Sequence, residues 1–189
     1  VGARLEEALT HMQAAGYRTY MTGKVHGHNV GGFDRSCTMG ACASFWDLVH
    51  PKGKKFVETP AKIDGDIVPD FLEKHPDFYA TDCWTDYAIR YLEEDKESDK
   101  PFFLYVAYNA PHYPLHARPE DIEKYRGKYM EGWDALREKR YERQEEMGLV
   151  DDSMPLPPRD PEAESWESHS AAEKKDLDWK WSGVESLMF

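Results

Sequence analysis

The chain of 189 residues carries 24 basic and 36 acidic residues, a net charge of -12, and its length fits one domain or a large part of one. This acidic excess argues against a nucleic acid as the partner. The sequence contains no run of eighteen apolar residues, so it predicts no membrane-spanning helix. Aromatic residues make up 13% of the chain, which supplies enough apolar surface for a core although 32% of the residues are charged.

The ends of the sequence and its cysteines carry further information. The chain opens at Val1, inside a predicted helix, and stops in an apolar segment at Phe189. We therefore expect an internal portion of a longer protein, truncated at both ends. The three cysteines have no Cys-x-x-Cys spacing and predict neither a disulfide framework nor a zinc site.

An α/β unit is predicted over residues 1–32. Apolar residues at 3.6-residue spacing indicate an amphipathic helix over residues 2–15, followed by Gly16 where a helix C-cap is expected. Tyr17–Met21 then reads as a short strand that ends in a turn at Thr22 and Gly23. The next residues, Lys24 to His28, would lie in a loop beyond the C-terminal end of that strand.

Residues 33–79 are predicted to form an irregular insertion. Residues 31–46 are rich in glycine and aromatic residues and predict a loop with little regular structure. Residues 50–65 combine lysines with proline and glycine, which favours a surface hairpin.

A helix and a buried strand are predicted over residues 80–118. Aromatic residues at helical spacing indicate a helix from Ala80 to Glu94 whose stripe faces the core. The unbroken apolar run Phe102–Tyr108 predicts a central strand buried on both faces. His112 follows just past the C-terminal end of this strand, where ligands bind in open α/β sheets. A histidine in a proline-stiffened surface loop is the alternative interpretation.

The remaining residues, 119–189, predict helices around a proline-rich excursion. Pro119 opens a short helix with acidic residues in its first turn. Trp133 to Met147 forms a charge-dense helix, residues 150–169 form the irregular excursion, and a last helix begins at Ala171.

Two segments of this acidic chain contain no Asp or Glu at all. Residues 8–33 and 100–118 cover 45 positions, which would carry about nine acids at the average density of 36 in 189. They hold lysine, arginine and histidine instead, a pattern that favours a focused anion site. Buried strands exclude acids as well, but that reason does not apply to the polar stretch Thr22–Gly32.

Several motifs resemble the sulfatase family. Gly16-Tyr-Arg-Thr-Tyr-Met-Thr-Gly-Lys-Val-His26 resembles its second signature, Gly-Tyr-x-Thr-x-x-x-Gly-Lys-x-His. Pro101–Tyr108 with the following Ala110-Pro-His112 resembles the family's central strand and Ala-Pro-His loop. Further similar segments in the same order extend the resemblance over nearly the whole chain, with arylsulfatase-like stretches from Arg126 and at Leu156–Arg159.

The resemblance implies a fold and an activity. The fold would be part of an alkaline-phosphatase-like α/β sandwich, with a mostly parallel central sheet flanked by helices. Residues 1–189 would be an internal portion of the catalytic domain of a sulfuric ester hydrolase, an arylsulfatase-like enzyme acting on aryl, steroid or carbohydrate sulfates. The sequence itself gives no compartment; the resemblance alone implies an exported protein, located in the periplasm, the extracellular space or the lysosome. Nothing in the sequence specifies an oligomeric state.

The family's cofactors are expected outside these residues. Its nucleophile is a formylglycine made within a Cys/Ser-x-Pro-Ser-Arg motif, and its divalent cation, usually calcium, is held by two Asp and a later Asp-Asn pair. This sequence contains no such motif and no matching acidic ligand set. We therefore expect no metal ligands in this portion and no turnover by it alone.

Three catalytic positions carry over by resemblance: Lys24, His26 and His112. Lys24 would hold the sulfate oxygens, and His26 would accept a proton at the nucleophile. His112 would support the sulfate and protonate the leaving alcohol. His116 is an additional candidate for substrate binding. The family usually has Trp-His-Leu-Gly where this chain has Val25-His-Gly-His28, so the ring that steadies the loop is missing.

Two other interpretations fit the same residues. A phosphatase or phosphonate hydrolase of the same superfamily would use the lysine and histidines on another tetrahedral anion. A noncatalytic binding protein or pseudoenzyme would use the helices and the proline-rich excursion to contact a partner.

Overall fold

A computed structural model of the chain describes residues 2–25, 31–40, 45–52, 55–58 and 60–186. The chain forms two compact units, Val1–Pro114 and Leu115–Phe189. Among the described residues, every helix is too short or too polar to cross a lipid bilayer.

The first unit is an α/β unit. Its helices are α1 (Gly2–Ala14), α2 (Phe71–Lys74) and α3 (Ala80–Glu94). Its strands are β1 (Arg18–Lys24), β2 (Arg35–Met39), β3 (Val49–Lys52), β4 (Lys55–Glu58), β5 (Lys62–Ile63), β6 (Asp66–Ile67) and β7 (Phe102–Ala107).

Five of these strands form one mixed sheet in the order β6-β5-β2-β1-β7. The strand β1 is parallel to both neighbours, with Tyr20 beside Arg35 of β2 and Leu104 of β7. The short strands β5 and β6 extend the sheet in the antiparallel direction. The α/β class predicted from the sequence is therefore confirmed, and the sheet has a parallel core of three strands.

Helices α1 and α3 cover opposite faces of the sheet. Tyr20 of β1 meets Tyr91 of α3, with ring centroids 6.1 Å apart. The preceding residue, Thr19, accepts a hydrogen bond from the side chain of Gln13 in α1 at 3.0 Å. Since successive side chains of a strand point to opposite faces, the two helices lie on either side of β1.

The core lies between the sheet and α3. The predicted helical stripe is confirmed, because Trp84, Tyr87 and Tyr91 are all buried there. Cys37 of β2 and Phe71 of α2 belong to the same cluster. Burial of each large side chain stabilises the fold by about 1.5–3 kcal/mol.

The first helix ends as the sequence predicts. Gly16 has a φ of +89°, and its N–H bonds the carbonyl of Gln13, while Tyr17 N–H bonds that of Met12. These two bonds close a Schellman motif, in which a glycine adopts the left-handed conformation without a steric penalty.

The strand after this helix is longer than predicted. Thr22 and Gly23 were expected to form a turn, but β1 continues through them to Lys24. Gly23 is required for a different reason: a Cβ there would lie 2.0 Å from the carbonyl oxygen of Ala107 in β7. The prediction that Lys24 lies in a loop is therefore wrong, because Lys24 is the last residue of the strand.

Regular structure also replaces most of the expected irregular insertion over residues 33–79. The strand β2 occupies part of the predicted loop and pairs with β1 over five residues. The hairpin expected over residues 50–65 is confirmed by the antiparallel pair β3 and β4. The insertion also contributes β5, β6 and α2.

Strand β7 lies at the edge of the described sheet, not at its centre. It pairs with β1 alone, and its side chains are partly exposed, with Phe102 at 55% and Tyr105 at 44%. The prediction of a central strand buried on both faces is therefore wrong for the strands described. The apolar run correctly predicted a strand but not its neighbours.

The second unit is helical, as expected. It contains α4 (Pro119–Glu123), α5 (Gly132–Glu146), a short 3₁₀ segment (Trp166–Ser168) and α6 (Ala171–Glu185). The side chain of Ser170 caps α6 reciprocally with Glu173, and such a capping box satisfies two free backbone N–H groups. Buried Asp178 of α6 accepts hydrogen bonds from the backbone N–H groups of Gly127 at 2.9 Å and Tyr129 at 3.1 Å.

Candidate active site

Lys24 ends β1 at the carboxyl edge of the parallel strands. Its neighbour Gly23 lies beside Ala107, the last residue of β7. On the other side Lys24 pairs with Met39, the last residue of β2, whose carbonyl accepts the N–H of Val25 at 2.9 Å. Three parallel strands therefore end together around this lysine. Their carboxyl edge is the usual place for a ligand in an open α/β sheet.

Asn109 holds the backbone where the chain leaves β7. Its side chain is only 2% exposed, and its Oδ1 accepts a hydrogen bond of 2.9 Å from the indole N–H of Trp84. Trp84 is fully buried in α3. Because a buried amide needs such a partner, this bond ties the start of the loop to the core.

His112 is placed by the same asparagine. Its backbone N–H donates to the Asn109 carbonyl at 2.9 Å, which closes a turn directly after the strand. The ring is exposed, and its Nδ1 lies 2.5 Å from the carbonyl oxygen of Tyr113. A carbonyl oxygen only accepts, so Nδ1 carries the hydrogen and Nε2 is the nitrogen left for a ligand. The peptide bonds before Pro111 and Pro114 are cis.

The sheet therefore brings two of the predicted site residues to one edge. Lys24 and His112 are 88 positions apart in the sequence, yet Lys24 is the last residue of β1 and His112 follows the end of β7, the parallel strand paired with β1. Neighbouring strands are spaced by about 4.8 Å. The side chain of Asn109, which accepts the hydrogen bond from the Trp84 indole, lies at this edge as well.

The other predicted site residues are His26 and His116. His26 lies outside the described residues. His116 belongs to the second unit, where its side chain is exposed. The roles assigned to all of these side chains remain predictions.

No metal-binding cluster is found in the part of the chain that the structure describes. Groups of three or more His, Cys, Asp or Glu side chains close enough to hold an ion are absent there. Those residues therefore do not provide the donor set that the family's calcium ion needs.

Sequence reasoning missed the residues that orient the loop. The sequence indicated only that Asn109 ends an apolar run and that Trp84 belongs to the apolar stripe of a helix. A polar residue placed directly after an unbroken apolar run was the available signal for Asn109. Its partner was not visible, because the two residues are 25 positions apart and meet only in the folded sheet.

Comparison with family models finds the sulfatase family over residues 8–155. This match covers most of the chain, including Lys24 and the strand edge described above. It agrees with the resemblance seen in the motifs and with the alkaline-phosphatase-like α/β class expected from them.

Curated relatives give the same result. An uncharacterised sulfatase of Schizosaccharomyces pombe is 30% identical over 87% of this chain, and the arylsulfatase of Klebsiella aerogenes is 29% identical over 91% of it. These alignments cover 31% and 39% of the two relatives, so the chain spans about a third of their length.

Among solved structures, Ps i-CgsB is similar. Its crystal structure matches 60% of this chain and 28% of its own with 28% identity and a TM-score of 0.48. The same protein in complex with k-i-k-neocarrahexaose matches 97% of this chain and 35% of its own, with 20% identity and a TM-score of 0.49.

Proposed function

Because this chain belongs to the sulfatase family, we propose that it supplies the sulfate-binding and proton-transfer residues of a sulfuric ester hydrolase. The observation that carries the proposal is the common strand edge of Lys24 and His112. An ammonium group and an imidazole at the same edge of a sheet suit a substrate that carries a negative charge and a leaving oxygen.

Lys24 binds the sulfate group in this proposal. A sulfate monoester carries one negative charge, which its three free oxygens share, and further negative charge develops on the ester oxygen as the S–O bond breaks. A fixed ammonium group stabilises that charge most when it is already in place. The position of Lys24 at the end of a strand that is paired on both sides provides such a fixed base.

His112 acts as the general acid. Its Nδ1 is committed to the Tyr113 carbonyl, so the proton that moves is the one on Nε2. As the S–O bond breaks, its electron pair goes to the ester oxygen, and Nε2–H delivers a proton there so that a neutral alcohol leaves. Such a transfer contributes roughly a hundredfold or more to the rate.

The nucleophile and the cation would come from outside this sequence. A formylglycine, once hydrated, supplies the attacking oxygen in this family, and His26 is the proposed acceptor of its proton. The 189-residue chain alone should neither bind calcium tightly nor hydrolyse sulfate esters. A micromolar calcium site found by isothermal titration would contradict this part of the proposal.

The test uses the full-length protein that contains these residues. Lys24→Ala and His112→Ala should each lower the hydrolysis of phenyl sulfate by about a hundredfold. His11→Ala is the matched control, because His11 is an exposed histidine on α1, and it should leave the rate unchanged.

The leaving group separates the two roles. The effect of His112→Ala should shrink with 4-nitrophenyl sulfate, whose leaving group hardly needs a proton, whereas that of Lys24→Ala should persist. Near-normal turnover in both variants would remove these residues from the mechanism. Faster hydrolysis of phenyl phosphate or of a phosphonate ester than of phenyl sulfate would overturn the sulfate assignment.

A further inference from the structure

The second unit contains a cavity that the proposed hydrolase chemistry does not use. Its volume is about 410 Å³, and it lies between α5, the 3₁₀ segment, α6 and the chain before α5. We call it the aromatic–arginine pocket after six of its lining residues: Tyr129, Trp133, Trp166, Trp181, Arg137 and Arg140. A volume of this size is within the range of small-molecule sites.

Two of the tryptophans are held rigidly. The indole N–H of Trp133 donates to the carbonyl of Glu164 at 3.1 Å, and that of Trp166 donates to the carbonyl of Met130 at 3.2 Å. Their rings meet edge to face, with centroids 5.1 Å apart. Gly132 allows this packing, because a Cβ there would lie 2.2 Å from the Trp166 ring. These rings therefore offer a ligand only apolar surface.

The two arginines give the pocket a positive charge. Arg137 donates to the carbonyl of Pro157 at 2.5 Å, which fixes its guanidinium and leaves other N–H groups available. Among the described residues, neither Arg137 nor Arg140 forms an ion pair with a carboxylate. Two such guanidiniums in a chain of net charge -12 favour the binding of an anion.

We propose that the aromatic–arginine pocket binds a small aromatic anion, with its ring against the indoles and its charged group on Arg140. A sugar fits the lining less well, because its hydroxyl groups require several hydrogen-bond partners and both fixed indole N–H groups are already used. A planar ring with one sulfonate, sulfate or carboxylate needs only apolar faces and a guanidinium.

The test measures the binding of naphthalene-2-sulfonate to the 189-residue chain by isothermal titration and tryptophan fluorescence. This probe has no ester bond, so the readout does not depend on the proposed hydrolysis. We expect it to bind about tenfold more tightly than the neutral 2-naphthalenemethanol and to lose affinity as salt is raised. Arg140→Gln should weaken its binding about tenfold. Arg143→Gln, on the same helix but outside the pocket, is the matched control and should bind normally.

Several results would overturn the proposal. Equal affinity for the sulfonate and the neutral alcohol, or normal binding by Arg140→Gln, would exclude an anion site in the pocket. Loss of binding in Lys24→Ala would place the sulfonate at the strand edge instead. Tighter binding of a sulfated disaccharide would exclude the aromatic ligand. A dimer that dissociates in Trp181→Ala, observed by sedimentation, would show that a second copy fills the pocket. Thermal unfolding followed by circular dichroism verifies that each variant is folded.

Discussion

Trp84 donates its indole N–H to the side-chain oxygen of Asn109 at 2.9 Å, and both side chains are buried. Asn109 in turn accepts the backbone N–H of His112. One tryptophan of the core is thus linked through a single asparagine to the loop that carries the proposed general acid.

Trp84→Phe should destabilise the protein by about 2–4 kcal/mol. The change removes the hydrogen bond that the indole donates to the buried Asn109 amide, and it removes part of a large ring from the core. Urea unfolding measures the loss, and the imidazole signals of His112 in NMR spectra should shift because the loop is no longer anchored.

The control for this change is Trp46→Phe. Trp46 is 46% exposed, so its replacement should cost less than about 1 kcal/mol and leave His112 unaffected. Equal losses in the two variants would show that the bond to Asn109 contributes nothing specific.

The close approach of β1 and β7 gives a second prediction. Gly23→Ala should cost at least about 4 kcal/mol, because the new Cβ would meet the Ala107 carbonyl at 2.0 Å and the φ of Gly23 is +111°. Gly16→Ala is the matched control, since its φ of +89° is comparable but no heavy atom lies within 4 Å of the added Cβ.

Gly16→Ala should therefore cost only about 1–2 kcal/mol, the penalty of the left-handed backbone alone. Denaturant unfolding of both variants measures the difference. If the two glycines proved equally replaceable, the strand contact would not be the reason for Gly23.

These residues also show what the sequence alone could predict. The helical spacing of aromatic residues predicted α3 with its observed bounds. An amphipathic helix places apolar residues on its buried face at regular intervals, so this face is visible in the sequence. The strand β2 has no such pattern. Arg35–Met39 is short, mixes polar with apolar residues and is buried because β1 and β5 pair with it and α3 packs against it. Nothing local distinguished it from a loop.

The candidate site divides in the same way. The motifs placed His112 just past the end of β7, where the structure has it, but they placed Lys24 in a loop, whereas it is the last residue of β1. Gly23 was predicted to lie in a turn, because its need for glycine comes from its contact with β7, which is far away in the sequence. The same holds for the edge position of β7, since pairing partners depend on topology rather than on the composition of the run.

The buried thiols of the core give a third prediction. The thiol of Cys37 is fully buried, and its hydrogen bond with Cys83, followed by its burial, raises its pKa far above the usual range. Since the thiolate is the reactive form, neither Cys37 nor Cys83 should react with a disulfide reagent at pH 8 while the protein is folded.

The measurement uses the Cys42→Ser variant, so that only these two thiols are counted. Both should react after denaturation, and their native reaction should be slower by a factor of at least about a thousand, as the folded-to-unfolded ratio limits it. Rapid reaction of one thiol in the folded protein would contradict the tight packing of β2 against α3.

The last prediction concerns Asp95, which follows α3 and binds two residues of β1. Its carboxylate accepts a hydrogen bond of 2.7 Å from Arg18 and another from the Tyr20 hydroxyl. The hydrogen bond from Arg18, and to a lesser extent the one from Tyr20, holds the pKa of Asp95 below its usual value. The lowered pKa means that the interaction stabilises the fold at pH values above about 3.9, the ordinary pKa of an unfolded Asp. The stabilisation is lost as the pH falls through the lower, folded pKa.

Asp95→Asn should therefore reduce stability at pH 6, and its deficit against the unmodified protein should narrow below pH 3. Thermal unfolding at the two pH values measures this change. Asp86→Asn is the control, because Asp86 is exposed on α3, and it should alter stability by less than about 0.5 kcal/mol at either pH. A deficit of Asp95→Asn that stayed constant from pH 6 to pH 3 would mean that the carboxylate charge does not hold the end of α3 to β1.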